Sequence, residues 1–215
     1  MQPNSDASLK DMVHKAVIDG IMSGEFRPGQ RITEKSLIEK CSVSKSPVRD
    51  AMIQLCNEKI LRSIPRYGYE VLRLSEREIR EVIEFRIALE LYSFDAFAGS
   101  LTAEDLDELE QWALNAMMRR DSNDVWHCWE TNRAFHLKLN SYLHNKYIYD
   151  QLEASLNVLT RAYMQIYWDE WRRVVISNDV NEHMDIIAHL RKGQVKEAKE
   201  ILRSDICRIQ KSLLK

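Results

Sequence analysis

The sequence predicts a mainly α-helical protein with two domains, a small three-helix unit ending in a β-hairpin and then an all-helical bundle. Apolar residues recur with the helical period in three segments before residue 58. Two short segments rich in β-formers come next, and from Ser75 onward every periodic segment is helical. The predicted domains are 1–74 and 75–215. A chain of 215 residues, 45% apolar and 30% charged, is long enough for both.

The first three predicted elements are helices. The segment LKDMVHKAVIDGIMSGEF has a helical pattern that Gly24 ends, which predicts a helix of about four turns. RPGQRIT predicts a turn, after which Thr33 is expected to cap a short helix. Ser46 is the expected N-cap of the third helix, with Pro47 at its first position. The residues expected on the buried face of this third helix are Val48, Met52, Ile53, Leu55 and Cys56.

A hairpin follows, and then helices alone. ILRSI and YEVLRL are separated by PRYG, whose proline and glycine predict a turn, and three helices before such a hairpin indicate a winged helix-turn-helix. Ser75 and Glu78 match a capping box, and Thr102 is expected to open another helix. Further periodic segments run over roughly 124–143, 146–171, 180–191 and 195–213, which predicts an all-α bundle.

Charge is divided unevenly between the two predicted domains. Residues 1–74 hold 12 Lys and Arg against 9 Asp and Glu, whereas residues 75–215 hold 19 against 24. A basic first domain is typical of nucleic-acid binding, although an excess of this size also occurs on inert surfaces. The four cysteines are scattered and form no C-x-x-C pair, and no stretch approaches 18 apolar residues. We therefore expect reduced thiols and a cytoplasmic location.

The segment VSKSPVRDAM, residues 43–52, gathers two serines, a lysine and an arginine at the predicted start of the third helix. A helix N-terminus has unpaired backbone N–H groups and the positive end of the helix dipole, so it attracts anions. The segment therefore predicts a phosphate contact with nucleic acid. The alternative is an ordinary capped helix start with a solvated basic face.

Motifs from both predicted domains occur in the order found in one family. GEFRPGQRITEKSL, VSKSPVRDAM and IPRYGYEV lie in the first domain, and FRIALE, NRAFH and NEHMDIIAHL in the second. The chain resembles the GntR family of transcription regulators, in the subgroup with a FadR-type C-terminal helical domain, abbreviated FCD. The resemblance covers nearly the whole chain.

The resemblance implies a set of DNA contacts. Arg49 and Lys45 are the expected base-contacting residues, because each can approach a guanine edge, whereas Ser44 and Ser46 are expected to hold phosphates. The remaining expected contacts are Lys35 and Arg31 to the backbone, and Arg66 and Gly68 at the tip of the wing. Two positions of the first domain depart from the family: Lys45 stands where many members have arginine, and Lys59 where glycine is usual.

The resemblance also implies a metal site in the second domain, built in the family from an aspartate, a histidine four residues later and two further histidines. The corresponding positions here are Asn132, His136, His183 and Asp205. The i, i+4 spacing of the first two puts them on one helix face. Zinc, nickel or manganese is the expected ion. The alternative is a hydrogen-bonded polar cluster without metal.

Arg86 shares a helical stripe with apolar residues, so its guanidinium is expected to point inward, where it needs an anion. Its partner is either Glu90, at i+4, or a carboxylate effector, which the resemblance implies. The expected effector-binding residues are Arg86, Asn132, His136 and His183.

The predicted function is a homodimeric repressor that binds a two-fold DNA operator and responds to a small carboxylate. The alternatives are a metal-dependent enzyme and a helical interaction module with an accessory nucleic-acid-binding domain. No H-E-x-x-H, G-x-S-x-G or phosphate-loop motif supports an enzyme.

Overall fold

A computed structural model describes residues 8–118, 125–169 and 179–213. It confirms the predicted fold class: a winged helix-turn-helix with a small sheet, followed by a helical bundle. The chain divides into two compact units. The N-terminal unit ends at Leu74 and also takes in Met164–Asp169, and the C-terminal unit begins at Ser75. Within the described residues, no helix is long and apolar enough to cross a membrane.

The N-terminal unit packs three helices against a sheet of three strands. Thr33 caps the second helix as predicted, because its side chain accepts a hydrogen bond from the backbone N–H of Ser36. The core includes the fully buried residues Val13, Val17, Leu37, Val48 and Leu55. The elements of this unit are α1 (Leu9–Met22), β1 (Arg31–Ile32), α2 (Glu34–Cys41), α3 (Lys45–Asn57), β2 (Leu61–Ile64) and β3 (Gly68–Val71).

The sheet contains one strand more than the predicted hairpin. β3 lies between β2 and β1 and pairs antiparallel with both, with Ile32 opposite Tyr69. The prediction of a simple turn over RPGQRIT was therefore wrong for its last residues. A two-residue strand is too short for the alternating pattern to appear in the sequence. It forms because Ile32 is buried against the core and its backbone pairs with β3.

The start of α3 also differs from the prediction. The N-cap is Ser44, whose side chain makes no cap hydrogen bond, and the helix begins at Lys45, two residues before the predicted first position. Pro47 thus lies at the third helical position, which tolerates proline because that N–H has no partner within the helix. The prediction that Ile53 is buried was wrong as well, since its side chain is 49% exposed.

The C-terminal unit is helical throughout its described residues. The predicted capping box is confirmed: the Ser75 hydroxyl accepts from the Glu78 N–H, and the Glu78 carboxylate accepts from the Ser75 N–H. The elements are α4 (Glu76–Phe97), a 3₁₀ turn (Ala98–Ser100), α5 (Ala103–Met118), α6 (Val125–Ser141), α7 (Lys146–Asp169), α8 (Asp179–Arg191) and α9 (Val195–Leu213). The last six residues of α7 belong to the N-terminal unit. Predicted helical residues 124, 170 and 171 lie outside the described residues.

Its core is a cluster of aliphatic and aromatic side chains from α4, α5, α6, α8 and α9. Phe94 and Phe135 are fully buried there, and Leu109, Ile186 and Leu202 pack in the same cluster. α4 packs closely on α9, and α9 on α8. Four of these helices, α4, α6, α8 and α9, also carry buried polar residues, which form the second candidate site described below.

The end of α3 is a tight turn in which Lys59 has a backbone φ of 55°. The Lys59 N–H bonds to the Cys56 carbonyl and the Ile60 N–H to the Leu55 carbonyl, the pattern of a Schellman motif. Glycine is the usual residue here because it has no Cβ to clash in the left-handed region. Lys59 therefore keeps the turn geometry with a strained backbone.

We predict that Lys59→Gly raises the free energy of unfolding of the N-terminal unit by up to about 1 kcal/mol, because relief of the left-handed conformation outweighs the extra freedom of glycine in the unfolded chain. Urea unfolding followed by circular dichroism measures this change. Lys59→Ala is the matched control, since it removes the same side chain but keeps the strain. Equal stability of the two variants would show that strain at Lys59 is negligible.

Candidate functional site

The first candidate site is the exposed face of α3. Ser44, Lys45, Ser46 and Arg49 are all exposed at the start of this helix, as predicted, while Val48 is fully buried on the opposite side. The first backbone N–H groups of α3 have no hydrogen-bond partner within the helix, and they point outward from its N-terminus. The structure thus combines two cations, two hydroxyls and a helix N-terminus on one surface, the groups needed to bind a phosphate backbone.

Ile53 lies on this face too, which the sequence analysis missed. It is four residues after Arg49 and eight after Lys45, so the three side chains form one stripe along the helix. The sequence prediction places Ile53 in the core only because isoleucine is apolar. Its helical angle, measured from the buried Val48 and Met52, would have placed it outside.

Lys45 is held beside the start of α2 by Glu34. The Lys45 Nζ lies 3.6 Å from one Glu34 carboxylate oxygen, and the Tyr69 hydroxyl lies 3.4 Å from the other. Burial, together with the charge of Glu34, raises the pKa of Tyr69, so its hydroxyl stays protonated and donates to Glu34. Glu34 therefore links α3 to β3 through Lys45 and Tyr69.

The remaining predicted DNA contacts are also on the surface of the N-terminal unit. Lys35 is exposed on α2, 3.9 Å from the Glu39 carboxylate. The Arg31 guanidinium lies 5.2 Å from the centre of the Tyr67 ring, a cation–π distance. The predicted wing-tip residues, Arg66 and Gly68, have positive backbone φ angles of 70° and 98°.

The backbone at Gly68 leaves no room for a side chain. A Cβ at this position would lie 2.6 Å from the Ile32 carbonyl oxygen, which belongs to the paired strand β1. The close approach of the two strands, in addition to the positive φ, thus requires glycine.

The second candidate site is a cluster of buried polar side chains in the C-terminal unit. α4, α6, α8 and α9 each direct at least one of them inward, and none is more than 3% exposed. Buried ionisable groups are costly unless they pair with one another. The members of this buried cluster are Arg86, Glu90, Asn132, His136, His183 and Asp205.

His136 lies between two carboxylates. Its Nδ1 is 2.6 Å from Glu90 Oε2 and its Nε2 is 2.7 Å from Asp205 Oδ2. Because ionised carboxylates only accept hydrogen bonds, both ring nitrogens must donate. This arrangement favours the protonated imidazolium. Burial and the charge of Arg86 oppose this, but Glu90 and Asp205 together raise the pKa of His136.

The two carboxylates are held in their ionised forms. Burial alone would raise the pKa of Asp205, but its hydrogen bonds and charge interactions with His136 and His183 hold that pKa below the ordinary value. The pKa of Glu90 is likewise lowered, because the charges of Arg86 and His136 outweigh the effect of burial. Burial lowers the pKa of His183, which favours its neutral form.

The four predicted metal-ligating residues converge in this cluster. One ligand atom each of His136, His183 and Asp205 lie within 4.8 Å of one another. Asn132 Nδ2 is 3.4 Å from both His183 Nε2 and Asp205 Oδ2. The ring of His183 is oriented by stacking on Phe135, with centroids 3.8 Å apart.

The donor set fits a divalent cation. Asn132 Oδ1 is buried without a hydrogen-bond partner among the described residues. A half-turn of the amide would exchange its oxygen and nitrogen and place the oxygen beside His183 and Asp205. Two imidazole nitrogens, a carboxylate oxygen and an amide oxygen would then face one point, a ligand set suited to first-row ions.

Arg86 is fully buried and points inward, as its position in the sequence predicted. Its Nε donates to Glu90 Oε1, so the predicted i, i+4 ion pair forms. Neither Nη1 nor Nη2, however, has a hydrogen-bond acceptor among the described residues. A buried donor without an acceptor costs about 1–3 kcal/mol, so this guanidinium presents two nitrogens that need an acceptor.

Two domain families match the chain. Residues 9–71 match the family of bacterial regulatory proteins named gntR, and residues 81–206 match the FCD domain. Together with the exposed face of α3, these matches define a DNA-binding transcription regulator, a class that is not enzymatic. The chain belongs to the GntR family, in the group whose winged helix-turn-helix is followed by an FCD domain.

Individual relatives agree with this assignment. The uncharacterized HTH-type transcriptional regulator YdhC of Bacillus subtilis is 27% identical over 186 residues, which cover 84% of the chain and 80% of that protein. The gluconate operon transcriptional repressor of Bacillus licheniformis is 34% identical over 91 residues, 42% of the chain and 37% of the repressor. The structure of E. coli McbR/YncC superposes with a TM-score of 0.75 at 20% identity, covering 94% of the chain and 95% of McbR.

We predict that Asp205→Asn lowers the free energy of unfolding of the metal-free protein by about 3–5 kcal/mol at pH 7. The reason is that Nε2 of the buried His136 imidazolium loses its carboxylate partner. The pKa of Asp205 in the folded protein is below its unfolded value of about 3.9. The stability that the Asp205 carboxylate contributes is therefore complete above the unfolded pKa and is lost as the pH falls through the folded pKa. The difference between the proteins should therefore narrow below about pH 4.

Urea unfolding at a series of pH values measures this difference. Asp185→Asn, an exposed position on α8, is the matched control and should stay within about 0.5 kcal/mol of wild type. A loss at Asp205 that is no larger than at Asp185 would contradict the ion pairing described above.

Proposed function

We propose that the protein is a repressor whose affinity for its operator is set by a small carboxylate bound at Arg86. The observation that carries this proposal is the fully buried guanidinium, two nitrogens of which have no hydrogen-bond acceptor in the described part of the chain. An arginine accepts a carboxylate through two parallel hydrogen bonds, and Nη1 and Nη2 offer such a pair of donors. The likeness to a gluconate operon transcriptional repressor supports the repressor role.

The proposed DNA contacts follow from the exposed face of α3. Arg49 and Lys45 contact base edges in the major groove, and Ser44 and Ser46 hold phosphates beside the helix N-terminus. Contacts of Lys35, Arg31 and the wing tip, Arg66 and Gly68, add to the affinity for the backbone.

A homodimer on a two-fold operator is part of the proposal, because two identical recognition helices match a palindromic site. Two exposed aromatic side chains on one face of α4, Phe85 and Tyr92, support a second copy at this surface. We also propose a cytoplasmic location, where the DNA and reduced cysteines of such a regulator are found. Analytical ultracentrifugation of the purified protein tests the dimer.

We further propose that Asn132, His136, His183 and Asp205 hold a divalent metal, with zinc, nickel or manganese as candidates. The ion would supply positive charge beside Arg86 and so favour an anionic ligand. Two neighbouring side chains orient the proposed ligands. Phe135 stacks on the His183 ring. Glu90 accepts a hydrogen bond from Nδ1 of His136, so that Nε2 faces the other proposed metal ligands. Elemental analysis after dialysis tests occupancy.

We predict that Arg49→Ala weakens binding to the operator by about 1–3 kcal/mol and relaxes the base preference at one position in each half-site. The operator is first obtained by selection from a random DNA pool with the purified protein. Selection repeated with the variant then reports base preference, and titration reports affinity.

Lys35→Ala serves as the comparison, because a phosphate contact carries no sequence information. It should weaken all DNA sequences alike and reduce the salt dependence by about one unit of slope. If Arg49→Ala behaves in the same way as Lys35→Ala, Arg49 does not contact a base. If the wild type selects no sequence, the regulator proposal itself fails.

We predict that a bound carboxylate at about one hundred times its dissociation constant raises the melting temperature of the wild type by about 5–10 °C. Arg86→Lys should abolish this rise, since lysine keeps the charge beside Glu90 but has no second nitrogen for a two-bond contact. Thermal unfolding with a panel of small carboxylates measures it. Arg80→Lys, an exposed change on the same helix, is the control and should respond like wild type.

A further inference from the structure

Ile53 is the apolar member of the exposed face of α3, where its side chain is 49% exposed. The structure describes this helix throughout, and its other exposed residues, all polar or charged, are Lys45, Ser46, Arg49, Asp50 and Asn57. A single exposed isoleucine is ordinary on an inert surface. This one lies among the side chains proposed to contact DNA, so its chemistry bears on what that surface recognises.

The exposure of Ile53 follows from the geometry of the helix. Val48 and Leu55 are fully buried. Ile53 comes five residues after Val48 and two before Leu55, so at 3.6 residues per turn it lies about 140° and about 160° around the helix from them. Ile53 therefore points away from the core, toward the same side as Arg49, which precedes it by four residues.

We propose that Ile53 is a specificity-determining residue, which packs against the C5-methyl group of a thymine in the major groove. This inference rests on the proposed function, and it adds a residue and a base that the proposed contacts do not include. The methyl group of thymine is the apolar group that the bases present in the major groove. An aliphatic side chain buries it without leaving a hydrogen bond unmade.

The other three bases are disfavoured beneath an isoleucine. Guanine and adenine present N7 and a second polar group in the major groove, and cytosine presents an amino group. Ile53 has no side-chain donor or acceptor, so it would displace water from these groups and leave them without a hydrogen bond. Ile53 thus selects thymine both by apolar contact and by rejection of polar base edges.

The position of this thymine follows from the position of Arg49. Four residues of helix correspond to about 6 Å. Successive bases of one strand are about 3.4 Å apart. Since arginine is the longer side chain and reaches farther, the thymine contacted by Ile53 should lie within about three base pairs of the position at which Arg49→Ala relaxes the base preference.

Replacement of thymine by uracil removes only the C5-methyl group and keeps the base pair, so it isolates the proposed contact. The operator is selected from a random DNA pool with the whole wild-type chain. Each thymine of the half-site is then replaced in turn by deoxyuridine, in both half-sites together, and titration measures the dissociation constant. At one position near that of Arg49, the wild type should lose about fourfold in affinity for each half-site, the effect of one buried methyl group.

Ile53→Ala removes the contacting carbons and should fold, because alanine is a good helix former at an exposed position. It should bind the thymine operator at least about fourfold more weakly for each half-site, and uracil at the sensitive position should then change its affinity by less than about 1.5-fold. Leu9→Ala is the matched control, since it removes the same number of carbons from a 56% exposed side chain on α1. It should keep the wild-type sensitivity to uracil.

Equal losses with uracil in the wild type and in Ile53→Ala would overturn the inference, because the methyl group would then act through the shape of the DNA. An operator on which no uracil replacement matters, or a sensitive thymine far from the Arg49 position, would overturn it as well. In these cases the regulator function stands, since the wild type has selected an operator. A wild type that selects no sequence would instead overturn the proposed function itself.

Discussion

The C-terminal unit depends on the pairing of buried charge around His136. Two carboxylates, a guanidinium and an imidazole lie inside a helical bundle, and each would cost several kcal/mol there if it were alone. The Glu90 and Asp205 contacts with His136 meet this requirement across three helices, α4, α6 and α9. Because these hydrogen bonds tolerate little displacement, they also restrict how the three helices can slide past one another.

The same pairing leaves Arg86 with a specific deficit. Glu90 accepts from Nε of Arg86 with one oxygen and contacts His136 with the other, and among the described residues neither terminal nitrogen of the guanidinium has an acceptor. A core selected only for stability would replace such an arginine with an apolar side chain, which is often neutral or stabilising. A buried cation whose donors lack an acceptor is typical of a binding site.

In the N-terminal unit the governing constraint is different, because its polar groups face water and its core is apolar. Burial of Val48 and Met52 sets the rotation of α3, and this rotation presents Lys45, Arg49 and Ile53 outward. Glu34 then restrains Lys45 from the neighbouring helix and contacts Tyr69 on the wing strand. Such an exposed ion pair adds little stability, and its effect is to favour one position of the lysine over others.

The sequence by itself determined the helical class, the order of the helices and most members of both candidate sites, because these depend on local period, capping groups and short motifs. The Ser75 and Glu78 capping box and the Thr33 cap needed no tertiary information. Only the tertiary structure decided the short strand β1, the start of α3 at Lys45 and the exposure of Ile53, since each depends on a partner distant in the chain. The sharing of Glu90 between Arg86 and His136 was beyond the sequence for the same reason: i, i+4 spacing allows the first contact, but packing of α6 against α4 creates the second.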